Sequence, residues 1–215
     1  MSKKTIYLVR HGETEFNRRG IVQGSGIDAD LNTLGQLQAQ AFFEAYRHIP
    51  FEKIYTSALK RTHQSVKNFI EQGLPHEAYA DLNEISWGNR EGKIPNHGDA
   101  DYYKMLTETW QSGNLDLQAD EGESPKDVQV RLRKMIELIT SRQDEKLILI
   151  ACHGRAMRVL LATLFADSLT KMDEFPHTNL GLYELEYDNK TKEFSLVRTN
   201  DTAHLQGISF ESLNY

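Results

Sequence analysis

The apolar run Ile6-Tyr7-Leu8-Val9 leads directly into Arg10-His11-Gly12-Glu13, so four apolar residues are followed at once by charged and small ones. A continuous apolar run of this kind is typical of a strand that is buried on both faces of a sheet. The glycine that follows indicates that the chain then leaves the strand. The sequence therefore predicts a buried strand that opens into a loop carrying an arginine and a histidine.

Further strand-like segments recur along the chain, and helical patterns lie between most of them. The predicted strands cover residues 6–10, 53–56, 78–82, 146–152, 181–187 and 194–199. The run 147–151 is wholly apolar, as expected in the middle of a mostly parallel sheet. This alternation predicts a layered α/β fold.

Two helices have clear start signals. Thr33 to Gln36 has the form of a capping box, which predicts a helix over residues 34–47 with Thr33 as its N-cap. Ser124 and Pro125 predict the N-cap and first turn of a second helix. One face of that helix is apolar and consists of Val128, Leu132, Met135, Ile136 and Ile139. Residues 188–191 suit a hairpin turn between the last two strands.

The stretch 93–122 differs from the rest because it is polar, rich in Gly and Asp, and poorly periodic. We interpret it as an insertion over one end of the sheet, with a short helix around residues 102–110. The whole chain, 1–215, is interpreted as a single domain that carries this insertion.

The composition argues against several classes of partner and of cellular compartment. The formal net charge of −6 argues against nucleic acid or an anionic membrane as a partner. Cys152 is the only cysteine, which excludes an intramolecular disulfide and suits a reducing compartment. The sequence shows no signal-peptide core and no apolar run of membrane-spanning length. A cytoplasmic protein is expected.

Side chains that can take part in catalysis or anion binding follow four of the predicted strands. They are Arg10 with His11, Arg61 in the segment 56–62, Glu84 in the segment 82–92, and His153 in the segment 151–158. We expect Ser57 to N-cap the helix that carries Arg61. Taken singly, each of these residues has an ordinary explanation as a surface cap, a solvated side chain or a structural histidine. The carboxyl ends of parallel strands meet at one edge of a sheet, so the four together predict one site.

In this order and spacing, the four segments resemble the histidine phosphatase family, also called the phosphoglycerate mutase-like family. The resemblance covers residues from about 6 to 204. It implies a three-layer α/β/α sandwich with a mostly parallel central sheet, and it implies that no cofactor and no metal is used. It also implies that His11 is the nucleophile and Glu84 the general acid and then base. In the family, residues matching Arg10, Asn17, Arg61 and His153 bind the phosphoryl group.

Physical reasoning adds two expectations about this site. Arg10 beside His11 disfavours the imidazolium by like-charge repulsion, which keeps the ring nucleophilic. The helix after His153 is expected to point its positive N-terminal end at the bound anion.

Other loops are also candidates for the site. Gln23 and Gly24 lie in the loop where relatives contact substrate, so we expect them to bind it. His177 precedes a predicted strand, and we favour a structural turn histidine over a pocket residue at that position.

The sequence leaves the choice between phosphatase and mutase open but favours a phosphatase. A mutase needs extra basic residues for a second anionic group, whereas residues 94–121 hold one base and six acids, a net charge of −5. On these electrostatic grounds we expect a phosphomonoester hydrolase with a phosphohistidine intermediate and a small phosphorylated metabolite as substrate. A phosphoglycerate mutase and a non-catalytic phosphate-ligand protein remain alternatives.

Two other enzyme classes lack their motifs. No His-Glu-x-x-His pattern or comparable ligand spacing indicates a metallohydrolase. No Gly-x-x-x-x-Gly-Lys-Ser/Thr segment indicates a P-loop kinase. The identity of the substrate and the oligomeric state are not indicated by the sequence.

Overall fold

The centre of the computed structural model, which describes residues 3–94 and 97–208 and only the backbone of 97–100, is a sheet of six strands. In chain order the strands are β1 (Lys3–Arg10), β2 (Lys53–Ser57), β3 (His76–Tyr79), β4 (Leu147–Cys152), β5 (Leu182–Asp188) and β6 (Phe194–Asp201). Across the sheet their order is β3-β2-β4-β1-β5-β6. The pairs among β1 to β4 are parallel, and β5 and β6 are added antiparallel at one side. The prediction of a mostly parallel sheet is confirmed.

Seven α-helices lie among the described residues. They are α1 (Glu15–Arg18), α2 (Thr33–Tyr46), α3 (Lys60–Ser65), α4 (Lys67–Glu71), α5 (His97–Gln111), α6 (Pro125–Ser141) and α7 (Gly154–Phe165). Short 3₁₀ turns cover Ala80–Leu82, Gly88–Arg90, Leu169–Glu174 and Ala203–Leu205. None of the helices in the described part of the chain is both long and apolar enough to cross a membrane.

Alternate residues of the central strands feed two separate apolar cores, one on each face of the sheet. On one face Ile6 and Ile148 pack with α6 and α7. On the other face Tyr7 and Leu149 pack with aromatic residues of α2 and α4. Successive side chains of a strand point to opposite faces, so a strand that is apolar throughout contributes to both cores. The three-layer α/β/α sandwich is therefore confirmed.

The start of α6 is as the sequence predicts. Ser124 accepts a hydrogen bond from the amide of Asp127, the Asp127 side chain bonds back to the Ser124 amide, and Pro125 is the first helical residue. On the predicted apolar face, four of the five residues are buried, while Ile136 is partly buried.

Several predicted boundaries are shifted, and two of them show why. The N-cap of α2 is Asn32, whose Oδ1 accepts from the amide of Gly35 at 2.8 Å, so Thr33 is already helical. The third strand ends at Tyr79, because residues 80–82 form a 3₁₀ turn instead of continuing the strand. In both places a local hydrogen-bonded structure, an N-cap in one and a 3₁₀ turn in the other, sets a boundary that the residue pattern does not predict.

The insertion contains α5, which is longer than the helix predicted for residues 102–110. Its anchor is Trp110, which is fully buried and donates from Nε1 to the carbonyl of Leu117 at 2.8 Å. Residues 95 and 96 of the predicted insertion lie outside the described residues.

The register of the sheet aligns the strand ends that matter for function. Arg10 lies opposite Cys152 across β1 and β4, and Thr56 lies opposite Ala151 across β2 and β4. The residues that follow these strands therefore emerge side by side at one edge, which we call the carboxyl edge.

Candidate active site

His11 stands at the end of β1 with one ring nitrogen engaged. Its Nδ1 lies 2.7 Å from the carbonyl of Gly12, and a carbonyl only accepts, so Nδ1 carries the proton. The lone pair is then on Nε2, as a nucleophile requires. Burial, followed by the positive charges of Arg10 and Arg61, lowers the pKa of His11 well below its ordinary value. The expected repulsion from Arg10 is present, although burial is the larger cause.

The loop after His11 is fixed by close backbone packing. The amide of Gly12 donates to Oγ of Ser65 at 2.8 Å. A Cβ atom on Gly12 would lie 2.7 Å from the carbonyl oxygen of Gly35, and one on Gly35 would lie 2.1 Å from that of Glu13. Only glycine allows this loop to lie against the start of α2.

Arg10 presents an unused donor to the site. Its Nη1 donates to the carbonyl of His177 at 2.9 Å and lies 3.3 Å from Nδ1 of the same residue. Its Nε is buried and has no hydrogen-bond partner among the described residues. A buried, unpartnered guanidinium N–H is costly unless a ligand accepts from it. An anionic oxygen is a suitable acceptor.

Arg61 is completely buried and held at three points. It donates to the carbonyl of Ile27 at 2.6 Å, to the carbonyl of Gly24 at 3.1 Å and to Nδ1 of His153 at 3.2 Å. Burial lowers the pKa of Arg61 to about 10. An arginine has five N–H donors, so two remain after these three bonds.

His153 lies beside His11, with 5.2 Å between the ring centroids. Both of its ring nitrogens already contact protein groups: Nδ1 accepts from Arg61, and Nε2 lies 2.8 Å from Oγ of Ser57. This arrangement differs from the expectation that His153 donates to a phosphoryl oxygen.

Ser57 is not the helix N-cap that the sequence predicts. It is the last residue of β2, and α3 follows the non-capping residue Leu59. The Ser57 hydroxyl accepts from the amide of Leu59 at 3.1 Å and faces His153.

Glu84 receives the positive end of α7. Its carboxylate accepts from the amides of Arg155 and Ala156, the second and third residues of that helix, at 3.0 and 2.8 Å. The amide of Ile85 donates to Oε1 at 3.0 Å. We expected this helix end to face the bound anion, but two of its amides are used by the carboxylate. The helix therefore fixes Glu84 at the wall of the site.

The predicted substrate contacts lie in different places. Gln23 lines the cavity, and its Oε1 is buried without a partner among the described residues. Gly24 contacts Arg61 through its carbonyl. Asn17 lies in the cap of α1, where its Oδ1 accepts from the amide of Thr14 at 3.2 Å and from Asn179 at 3.4 Å.

A cavity of about 470 Å³ borders this site, and His11, Arg61 and His153 are buried behind its lining. Its polar lining includes Arg10, Glu84 and His177, and its outer part is aromatic and basic. That outer part includes Trp87, Arg90, Lys93, Tyr102 and Tyr103.

The acidic residues of the insertion do not form this wall. Among those whose side chains are described, none lines the cavity. Asp116 pairs with Lys126 at 2.6 Å, and Asp120 pairs with Arg90 at 2.8 Å. Among its described side chains, the insertion therefore contributes Lys93 and aromatic rings to the cavity wall and no acidic group. Lys104, the one base of residues 94–121, does not line the cavity either, so the expectation that this stretch provides no basic clamp for a second anionic group stays in place.

The family model of the histidine phosphatase superfamily (branch 1) matches residues 6–202 of the chain. The chain belongs to the histidine phosphatase superfamily. The predicted family and the prediction of a histidine phosphatase enzyme are both confirmed by this match and by the relatives.

Three relatives illustrate the range of the superfamily. The adenosylcobalamin/alpha-ribazole phosphatase of Salmonella typhi is 28% identical, over 75% of this chain and 79% of that protein. The human 6-phosphofructo-2-kinase/fructose-2,6-bisphosphatase 1 is 32% identical over 91% of this chain, which spans only 41% of that protein. The structure of Bacillus stearothermophilus YhfR has a TM-score of 0.81 and 26% identity, covering 94% of this chain and 100% of that one.

In this histidine phosphatase, sequence reasoning undervalued His177, which lines the cavity and holds Arg10. Burial, then Arg10 and Arg158, lower the pKa of His177 to about 3, so it is neutral at ordinary pH. Its only signal in the sequence is its place just before a strand.

Sequence reasoning missed Arg131 of α6. Its guanidinium donates to the carbonyls of Asp81 and Asn83 at 2.8 and 2.7 Å, and to that of Glu84 at 3.2 Å. Arg131 therefore clamps the loop that carries Glu84. A charged residue directly before the buried Leu132 is the only hint of this contact in the sequence.

Proposed function

We propose that this protein hydrolyses phosphate monoesters of small metabolites through a phosphohistidine at His11. One observation carries the proposal: the Gly12 carbonyl fixes the His11 proton on Nδ1, which leaves the Nε2 lone pair unprotonated in a cationic site. The unpartnered Nε of Arg10 and the two remaining donors of Arg61 supply groups for the phosphoryl oxygens.

In the first step, Nε2 of His11 forms a bond to phosphorus while the bond from phosphorus to the leaving oxygen breaks. Glu84, which lines the cavity, gives its proton to that oxygen, so a neutral alcohol departs. The arginines balance the charge that spreads over the phosphoryl oxygens.

In the second step, water attacks phosphorus and the bond between nitrogen and phosphorus breaks. Glu84 takes a proton from the water, and the products are inorganic phosphate and the original forms of His11 and Glu84. Glu84 suits both steps because amides of α7 hold its carboxylate in place.

The cavity supports a small substrate. At about 470 Å³ it falls in the range of small-molecule pockets. Its aromatic wall, with Trp87, Tyr102 and Tyr103, suits a leaving group that offers apolar surface. Cytoplasmic localisation and independence of metals and cofactors stay predictions.

A phosphoglycerate mutase is a second candidate because Arg90 and Lys93 line the outer cavity. Bases there would suit the second anionic group of such a substrate. Arg90 is already engaged, since it pairs with Asp120 and stacks on Tyr102 with 3.9 Å to the ring centroid. This use of its charge favours the phosphatase.

The test is a phosphate-release assay on a panel of monoesters that includes fructose 2,6-bisphosphate and α-ribazole phosphate, with His11→Asn as the blank. In parallel, 3-phosphoglycerate is incubated with and without 2,3-bisphosphoglycerate. Phosphate release without isomerisation, lost in the blank, is the expected result. Isomerisation dependent on the bisphosphate would establish the mutase instead. Binding of phosphate esters with neither reaction would support the non-catalytic alternative.

A further inference from the structure

His177 uses one of its two ring nitrogens in a contact with Arg10. Nη1 of Arg10 lies 3.3 Å from Nδ1 of His177 and donates to the carbonyl of the same residue at 2.9 Å. A guanidinium only donates, so Nδ1 is the acceptor in this contact. The other ring nitrogen, Nε2, has no hydrogen-bond partner in the part of the chain that the structure describes.

The ring of His177 is neutral, which fixes the place of its proton. Burial, then the positive charges of Arg10 and Arg158, lower the pKa of His177 to about 3. A neutral imidazole carries a single N–H, and since Nδ1 accepts, that N–H is on Nε2. His177 therefore presents a hydrogen-bond donor from which no described protein group accepts.

The unused donors of His177 and Arg10 border one small space beside Gly154, the first residue of α7. A Cβ atom on Gly154 would lie 3.4 Å from Nε2 of His177 and 3.4 Å from Nε of Arg10. Nε of Arg10 is itself buried without a partner among the described residues. All three residues line the cavity. The missing side chain of Gly154 thus leaves a recess in the cavity wall, the Gly154 recess, on which two N–H groups converge.

The chemistry of the Gly154 recess favours an anionic occupant. Two converging donors, one of them on a cation, match an oxygen that carries negative charge. No carboxylate of the protein competes for them: Glu84 is the only acidic side chain in the described lining of the cavity, and it already accepts from the amides of Arg155 and Ala156.

We propose that His177 is a substrate-binding residue, which donates from Nε2 to an oxygen of the phosphoryl group beside Nε of Arg10. Arg10 and His177 then act as a pair, because the contact with Arg10 selects the tautomer in which Nε2 carries the proton. A neutral ring adds a hydrogen bond without a second positive charge that would repel Arg10. The inference rests on the proposed function for the identity of the anion as a phosphoryl group.

The first test uses two substitutions at His177, each of which keeps one of its two contacts. Asparagine places an oxygen near the position of Nδ1 and still accepts from Arg10, but it has no group at the position of Nε2. Glutamine places an amide near the position of Nε2 and still donates there, but it loses the acceptor. We expect the dissociation constant of inorganic phosphate, measured by NMR titration, to rise roughly tenfold for His177→Asn and less than about threefold for His177→Gln.

The opposite order would show that His177 acts only by holding Arg10, and it would overturn the proposal. Equal losses in the two variants, or no loss in either, would overturn it as well. The control is His48→Asn, at an exposed position outside the cavity lining, which should bind phosphate as the parent does.

The second test fills the Gly154 recess. The methyl group of Gly154→Ala would meet its nearest neighbours at 3.4 Å, an ordinary contact distance, and alanine favours a helix over glycine. Stability in urea should therefore be kept, whereas the dissociation constant of inorganic phosphate should rise at least about tenfold, because the methyl group takes the place of the anion. Unchanged phosphate binding would show that the anion lies elsewhere and would overturn the proposal.

The third test reads the tautomer of His177. In protein labelled with ¹⁵N-histidine, two-bond ¹H–¹⁵N correlation spectra distinguish Nδ1–H from Nε2–H, and His177→Asn identifies the signals. We expect Nε2–H in the free protein and with inorganic phosphate, and an Nδ1–H form in either state would overturn the proposal. None of the three readouts needs turnover. If phosphate binds as expected but no monoester is hydrolysed, the proposed function fails while this inference stands.

Discussion

The two ends of the parallel strands both gather charged side chains, but they arrange them in opposite ways. At the carboxyl edge, Arg10, Arg61 and three histidines converge, and Nε of Arg10 has no partner among the described residues. At the other end, which we call the amino edge, Lys53 pairs with Glu77 at 2.5 Å, and Arg142 pairs with Glu77 at 2.8 Å.

The amino edge continues as a satisfied network. Nη1 of Arg142 donates to the hydroxyl of Tyr55 at 2.8 Å, and Nη2 donates to that of Tyr79 at 3.2 Å. Tyr55 in turn donates to Glu145. Opposite charges that pair with one another need no ligand, whereas like charges brought together are compensated by a ligand of the opposite sign. The difference indicates which edge is structural and which is functional.

The largest expected effect is at the carboxyl edge, with His11→Asn. The asparagine amide can donate to the Gly12 carbonyl as Nδ1 does, but it has no nucleophilic nitrogen. We expect phosphate release to fall by at least about 10⁴-fold. The free energy of unfolding in urea should change by less than about 1 kcal/mol. Activity close to that of the parent would place the nucleophile elsewhere.

The next effect is at the amino edge, with Arg142→Met. It leaves Glu77 with fewer partners and removes donors to Tyr55 and Tyr79, so the free energy of unfolding should fall by about 2 kcal/mol. The value of kcat/KM should stay unchanged. Arg133→Met, at an exposed position on α6, the helix that Arg142 directly follows, is the control. A fall in kcat/KM at constant stability would contradict the division between the edges.

An intermediate case sharpens the comparison, because Arg131 belongs to the framework but holds the loop of Glu84. Arg131→Met should lower kcat roughly tenfold by displacing the carboxylate, with little change in KM. Steady-state kinetics at saturating substrate would measure this effect. If KM rises and kcat does not change, Arg131 shapes the substrate pocket and does not position the acid.

The smallest expected effects are two losses of folding stability on acidification, which should occur in different pH ranges. The pKa of His177 is about 3 in the folded protein and 6.5 ordinarily, so the unfolded chain binds a proton first as pH falls. Its contribution to stability is present above about pH 6.5 and is lost towards pH 3. His177→Gln should flatten the loss of unfolding free energy across that window in urea titrations.

At the amino edge the corresponding group is Glu77. Hydrogen bonds from Lys53 and Tyr79 lower the pKa of Glu77 to about 2, against an ordinary value of 4.5. Its contribution is present above about pH 4.5 and is lost as pH falls towards 2. Glu77→Gln should lower stability above about pH 4.5, and its difference from the parent should shrink only as pH falls through this lower window. If His177→Gln acts in the same window, the two edges do not titrate separately.

The sequence predicted the outline of the fold because buried parallel strands leave a continuous apolar signature. The sequence pattern located all six strands. The errors fell at strand ends and at helix starts, including residues 32–33 and 57–60, where side-chain hydrogen bonds determine which residue begins the element.

The sequence by itself determined that the chain forms a layered sheet and which chemical groups lie at the carboxyl edge. The reason is that local periodicity locates each strand, and each of these groups follows a strand along the chain. Tertiary structure alone decided that Nδ1 of His11 lies against the Gly12 carbonyl and that α7 holds Glu84. It also decided that the Ser57 hydroxyl contacts His153 and that Arg131 holds the loop that carries Glu84. The physical reason is that most of these features depend on hydrogen bonds between residues far apart in the chain, whose partners no local pattern specifies.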